Sequence, residues 1–264
     1  MSEELLLPSP ALQRDYFDAL QESQYWPVET MLAHQRQRLA LLLRHAIANT
    51  PFYDRRLRAL FRPDGEIDWD RWPDVPTVRR VDMVDQRAAM QALQLPPGAG
   101  KTDVVHTSGS TALPITVTLN ALGVLANNSL IWRGQARNGL NWSGNLCSRQ
   151  MVDASTGVWP DGTQLGRWGP GWSRQATGTA WGLYKGTPSD QTFEFITRRN
   201  CIYLNAGAKT AHALALEAER LDAQVSLDAM LAQGENCDDA DREACRRVFG
   251  ARIRSEERRV GKEC

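Results

Sequence analysis

The feature that most constrains this chain is the order of periodicities near its C-terminal end. Thr210 opens a helix that runs to about Leu221, with Ala211, Leu214, Ala218 and Leu221 on one face. Val225, Leu227, Ala229 and Leu231 then alternate as a strand. A loop, Gln233-Gly-Glu-Asn-Cys-Asp-Asp239, leads to a second helix over 240–249. That helix turns Ala240, Ala244, Cys245 and Val248 inward and stops at Gly250. Ala251-Arg-Ile253 begins another strand. Helix, strand, helix, strand in succession requires crossover connections, which lay strands parallel with helices packed on the sheet. The expected class is α/β.

The N-terminal part reads differently. Leu32, Leu39, Leu42, Leu43, Ala46 and Ile47 recur at helical steps over 30–48, with Thr30 as N-cap and Pro51 as the stop. His45 beside that stripe reads as a packing residue. Residues 61–80 are broken by Pro63, Gly65, Pro73 and Pro76 and form an irregular connector, which Trp69 and Trp72 are expected to anchor. Asp103–Thr107 and Ile115–Leu119 read as strands, and 121–137 as a helix. The stretch 139–192, rich in Gly, Trp, Ser and Thr, shows no readable period.

Charge and length narrow the function classes. The 264 residues suggest one large domain or two small ones. With 31 basic and 31 acidic residues the formal charge is zero, so no electrostatic case exists for nucleic acid or an anionic membrane. No apolar run approaches the ~18 residues of a membrane span. The start lacks the basic region of a secretory signal, so a cytoplasmic protein is expected. The five cysteines form no CxxC pair, and the four histidines stand at no metal-ligand spacing. No zinc site is expected, and the thiols read as reduced.

Two glycine-bearing loops compete for a phosphate. Leu95-Pro-Pro-Gly-Ala-Gly-Lys-Thr102 imitates G-x-x-x-x-G-K-S/T, but its first glycine position is Leu95 and a strand pattern follows it rather than a helix. It reads as a connecting loop. His106-Thr-Ser-Gly-Ser-Thr-Ala-Leu-Pro114 sets the hydroxyls of Thr107, Ser108, Ser110 and Thr111 around Gly109. Such a loop can aim N–H and O–H donors at one polyphosphate, and it can also be a plain Ser/Thr turn.

The order of residues in this second loop resembles the phosphate-binding loop of the adenylate-forming (AMP-forming) ligase superfamily, T-S-G-S-T-G-x-P-K/L. Thr107, Ser108, Gly109, Ser110, Thr111 and Pro114 match, as does Val117 in the next strand. Ala112 replaces the second glycine, and Ile115 stands where lysine is common. The segment Gln37–Tyr53, with its Leu-Leu-Arg-His-Ala run, and the segment Trp72–Asp82 are similar to the phenylacetate–CoA ligase-like and capsular-polysaccharide-type branch. Gly169–Trp172 and the helix near Thr210 also fit, so the resemblance spans roughly residues 25–253.

The resemblance implies the N-terminal part of the large domain of an adenylate-forming enzyme: a helical segment followed by a mixed or parallel sheet with flanking helices. It implies a carboxylate ligase using ATP, Mg²⁺ and CoA on a small-molecule acid. Thr107, Ser108, Gly109, Ser110 and Thr111 would contact the ATP phosphates. Gly234 and Glu235, in a loop where open α/β sheets bind ligands, look like the family segment lining the adenine and acyl pocket. His106 would border the acyl pocket, or be a buried strand histidine. The family's Tyr-Gly-x-x-Glu motif, ribose aspartate and C-terminal lysine have no counterpart to assign here. Trp168, Trp172 and Trp181 could line an aromatic pocket or fill the core.

Two other functions stand beside the ligase. One is a non-catalytic nucleotide- or acyl-binding remnant of the same fold. The other is a serine hydrolase using Ser108 or Ser110 with His106, which the missing G-x-S-x-G and the following strand disfavour. The expected organisation is a helical segment and connector over 1–102, an incomplete α/β nucleotide- and acyl-binding region over 103–253, and a tail over 254–264. That tail is charged and breaks the incipient strand; it reads as a solvated, frayed end or, the favoured reading, as foreign to the protein, which would then be a fragment.

Overall fold

The computed structural model describes residues 8–106, 115–150, 152–232 and 235–255. They fall into two compact units that divide between Arg133 and Gly134.

The first unit opens with α1 (Pro10–Ser23), where the Ser9 hydroxyl accepts the Leu12 N–H at 3.3 Å. The long helix α2 (Val28–Asn49) follows. Its N-cap is Pro27 rather than Thr30, because the proline ring presets a turn into the helix and Glu29 already suits the first-turn dipole. Leu43 is buried with Leu57, Leu60 and Ile67, and Leu39, Ala46 and Ile47 are partly buried against them. Leu32 and Leu42 are exposed, so the stripe is narrower than the periodicity implies. Pro51 ends α2 and takes the first position of α3 (Pro51–Leu57), where its missing N–H costs nothing.

A 3₁₀ turn at Arg58–Leu60 leads into the connector, which holds a second at Trp69–Asp74 and ends at α4 (Arg80–Asp85). Trp69 packs on this core, while Trp72 stays exposed and does not anchor it. Next, β1 (Thr102–His106) and β2 (Thr116–Asn120) pair antiparallel from Thr102↔Asn120 to His106↔Thr116. Asn120 Oδ1 accepts the Gly123 N–H at 2.8 Å and so starts α5 (Ala121–Arg137).

The second unit contains β3 (Asn145–Ser148), β4 (Thr163–Arg167), β5 (Thr179–Gly182), α6 (Ser189–Arg198), β6 (Cys201–Ala206), α7 (Ala208–Leu221), β7 (Ala229–Ala232), α8 (Asp239–Phe249) and β8 (Arg252–Ser255). Its sheet has the order β4-β5-β3-β6-β7-β8, parallel except for the β4–β5 pair. From β5 through β6 and β7 to β8 the chain steps in one direction across the sheet. Right-handed crossovers therefore put α6, α7 and α8 on the same face.

Register explains the core. Cys147, Leu204, Met230 and Ile253 are neighbours across four strands and meet Phe195, Leu214, Ala215 and Phe249 from the helices. Leu146, Tyr203 and Ala229 alternate to the other face, where Leu140 and Trp168 cover them. The tryptophans pack too. Trp168 meets Tyr203 edge-on at 5.3 Å, Trp172 meets Trp142 at 6.5 Å, and Trp181 lies 4.1 Å beneath the Arg199 guanidinium. Burial pushes the thiols of Cys201 and Cys245 up to about 12, which suits inert core residues.

Three further details differ from the sequence reading. The strand expected over Val225–Leu231 pairs only from Ala229, because Val225 and Leu227 are buried loop residues whose alternation reflects burial. Leu227 N–H donates instead to Phe249 O at 3.0 Å. In α8, Ala240 is exposed and Asp241 is the inward residue. Finally, α7 begins behind Gly207 with no side-chain cap of its own, not at Thr210.

Candidate functional site

The first unit carries His106 at the end of β1. Its ring is exposed, which removes the buried-strand alternative, and Nδ1 lies 3.0 Å from Thr116 Oγ1 across the hairpin. The pair fastens the two strands beside the hydroxyl loop that joins them. Thr107, Ser108, Gly109, Ser110 and Thr111 lie outside the described residues, as does Gly234. The Walker-like stretch ends in a turn, with Ala99 N–H donating to Pro96 O at 3.1 Å, and then enters β1. No helix N-terminus follows it to embrace a phosphate.

In the second unit, topology picks out one edge of the sheet. The chain leaves β3 toward β5 on one side and leaves β6 toward β7 on the other. Strand order therefore reverses between these neighbours, and open α/β sheets bind ligands outside the carboxyl ends at such a point. Ser148 and Asn205 sit side by side there in the parallel register. Asn205 Nδ2 donates to Ser148 Oγ at 3.4 Å, and Arg149 N–H donates to Asn205 O at 2.9 Å. The buried Arg149 guanidinium donates to the Lys185 carbonyl and, at 2.8 Å, to Thr187 O; burial lowers its pKa. Asn205 Oδ1 is buried without a partner. It can accept from an N–H or O–H donor of a ligand.

Glu235 stands just past the carboxyl end of β7, where the sequence reading put it. Its Oε2 accepts the Lys209 backbone N–H at 3.1 Å, in the first turn of α7. The carboxylate thus supplies the cap that Gly207 lacks and meets the positive end of the helix dipole. Lys209 Nζ reaches Asp238 Oδ2 at 2.7 Å and Asp241 Oδ2 at 2.8 Å. Asp238 is the N-cap of α8 and forms a capping box with Asp241. The fully buried Asp241 also binds His212 Nδ1 at 2.8 Å. Hydrogen bonds to the carboxylates raise the Lys209 pKa, and the ammonium holds Asp238 down at about 2. Burial opposes ionisation of Asp241, yet the bonds from Lys209 and His212 outweigh it and leave its pKa lowered.

Sequence reasoning singled out Glu235 but not Lys209, Asp241, Asn205 or Arg149, which the structure places at the same ends of the strands and helices. One signal was present for Asp241, since Asp238-x-x-Asp241 before a helix is a capping pattern. A groove lined by Ala218, Glu219, Val225 and Arg247 lies among the C-terminal ends of α7 and α8, at the opposite edge of the sheet. Its guanidinium, Arg247, is already paired with Glu219 at 2.8 Å, and the groove lies away from the carboxyl ends of the strands, so it is not the candidate site. Among the described residues, no three His, Cys, Asp or Glu side chains form a metal cage.

No protein-family model matches the sequence, and no curated protein matches it. Solved structures do. An open conformation of 2-hydroxyisobutyryl-CoA ligase in complex with 2-HIB-AMP and CoA is similar with a TM-score of 0.63, at 19% identity, over 87% of this chain and 54% of that one. The same ligase in the postadenylation state with 2-HIB-AMP gives 0.62, at 19% identity, over 87% of this chain and 48% of that one. The chain spans about half the length of these structures. At this identity the likeness establishes the fold and no more: the chain has the α/β fold of about half of the 2-hydroxyisobutyryl-CoA ligase structure.

Proposed function

We propose that the chain is the N-terminal portion of an ATP-dependent, AMP-forming carboxylate ligase of the phenylacetate–CoA ligase-like branch. The observation that carries this reading is the Thr107-Ser-Gly-Ser-Thr111 sequence, set between the two strands of a hairpin in a chain with this fold. In the reaction a carboxylate oxygen attacks the α-phosphorus of ATP. Pyrophosphate leaves and an acyl-adenylate forms; a thiol such as that of CoA then attacks the acyl carbon and AMP departs. The hydroxyls and amides of Thr107–Thr111 hold the departing pyrophosphate in line. Asn205 Oδ1 and the Glu235 carboxylate offer acceptors to a donor-rich ligand such as adenine or ribose. Mg²⁺ belongs to this reading as the counter-ion that ATP carries, with no residue assigned to it. Among the described residues no helix is long and apolar enough to cross a membrane. A cytoplasmic location and a small-molecule acid substrate are part of this proposal.

Calorimetry with ATP tests the loop. Ser110→Ala combined with Thr111→Ala is expected to weaken binding by ~1.5–3 kcal/mol per lost charged contact. Unchanged affinity in the double variant would sink the assignment. Sequencing the gene across the codons for Arg252–Cys264 tests the fragment reading, since an intact ligase gene continues in frame into Tyr-Gly-x-x-Glu.

A further inference from the structure

The contacts of Lys209 have a combined effect that none has alone. Its backbone N–H holds the Glu235 carboxylate, and its ammonium holds Asp238 and Asp241 at the start of α8. One residue in the first turn of α7 therefore grips the β7–α8 connection at two places. Gly207 completes the fit. Its backbone, at φ −62 and ψ 151, is open to any residue. A Cβ there would nevertheless lie 2.6 Å from Cδ and from both carboxylate oxygens of Glu235. The bare glycine is needed to let the carboxylate reach the helix end, not to relieve the backbone.

We infer that Lys209 is a positioning residue, which with Gly207 fixes Glu235 and the segment up to Asp241 against α7 in the arrangement that receives the ligand. The inference rests on the proposed reading of Gly234-Glu235 as part of the ligand pocket. A plain structural role would put the network's worth into the stability of the whole unit. The geometry concentrates it on one connection. Among the described contacts Glu235 accepts from the Lys209 backbone N–H alone and Asp238 has no charged partner but the Lys209 ammonium, whereas the sheet and the helical core close without it.

Two variants separate the two grips. Gly207→Ala displaces the Glu235 carboxylate and leaves the ammonium with its aspartates. Lys209→Met removes the ammonium and leaves the backbone N–H, and Lys209→Arg restores a cation. Native-state hydrogen exchange, read by peptide, needs no ligand. Exchange over Glu235–Asp241 is expected to rise at least about tenfold in Gly207→Ala and Lys209→Met, to stay near wild type in Lys209→Arg, and to hold constant in β3 and β6. A change below about twofold in both variants, or an equal rise throughout the unit, overturns the inference.

ATP affinity is then measured on the same proteins by calorimetry. A parallel loss of at least about tenfold in Lys209→Met supports positioning. Unchanged affinity despite loosened exchange overturns it. If the wild-type chain binds no ATP, the ligase reading fails, while the exchange data still decide whether Lys209 holds the connection.

Discussion

A carboxylate with no solvent exposure keeps its charge only while its partners hold it, and Asp241 depends on Lys209, His212 and the Asp238 N–H. Such dependence makes this residue pair acid-sensitive. Asp238 and Asp241 both titrate below the ordinary carboxylate range in the folded chain, Asp238 at about 2. A depressed folded pKa contributes stability above the unfolded value of ~3.9 and loses it as pH falls through the folded one. Denaturation midpoints are therefore expected to drop between pH ~4 and pH ~2. In Asp238→Asn the drop over that window should shrink. A wild-type midpoint that stays flat across it would rule out the network as a source of stability. At this scale little was legible in the sequence. The partners of Lys209 lie 26, 29 and 32 residues away, a separation that no local pattern encodes.

Element ends were legible where a local residue sets them and not where a distant one does. Gly250 was legible as the stop of α8, and it sits in the left-handed region at φ 67, as a helix-ending glycine does. Gly250→Ala has open space around its Cβ but a strained backbone, so it should cost about 1 kcal/mol in a urea titration. A loss near zero would show that the terminus relaxes. The start of α7 was misplaced because its cap comes from Glu235, beyond any local pattern. The strands β3, β4 and β5 stayed unread because they are only four or five residues long, and glycine interrupts β4 and ends β5, so no alternation accumulates. By contrast, β1, β2 and α5 were legible to within a residue, since two runs rich in valine and threonine are followed by a segment with apolar residues at helical spacing.

For the whole molecule, the helix–strand alternation was enough to expect a parallel sheet, and the sheet order then picked out a candidate ligand edge that composition never hinted at. Glu235 falls on that edge; His106 belongs to the other unit, on the hairpin. That hairpin is a sheet of only two strands among the described residues, and it exposes Val104 at 44% and Val105 at 40%. Two strands alone seldom suffice for stability in water, and an open ladder of N–H and C=O groups is a template for another chain. The same element that presents the hydroxyl loop is thus a colloidal liability. Light scattering of the isolated chain should rise with concentration, and Val105→Lys should suppress the rise by putting a charge on the exposed strand. If the lysine variant scatters as strongly as wild type, the association starts elsewhere. If it does not, the solubility of any preparation of this chain is governed by five residues of strand next to its most informative loop.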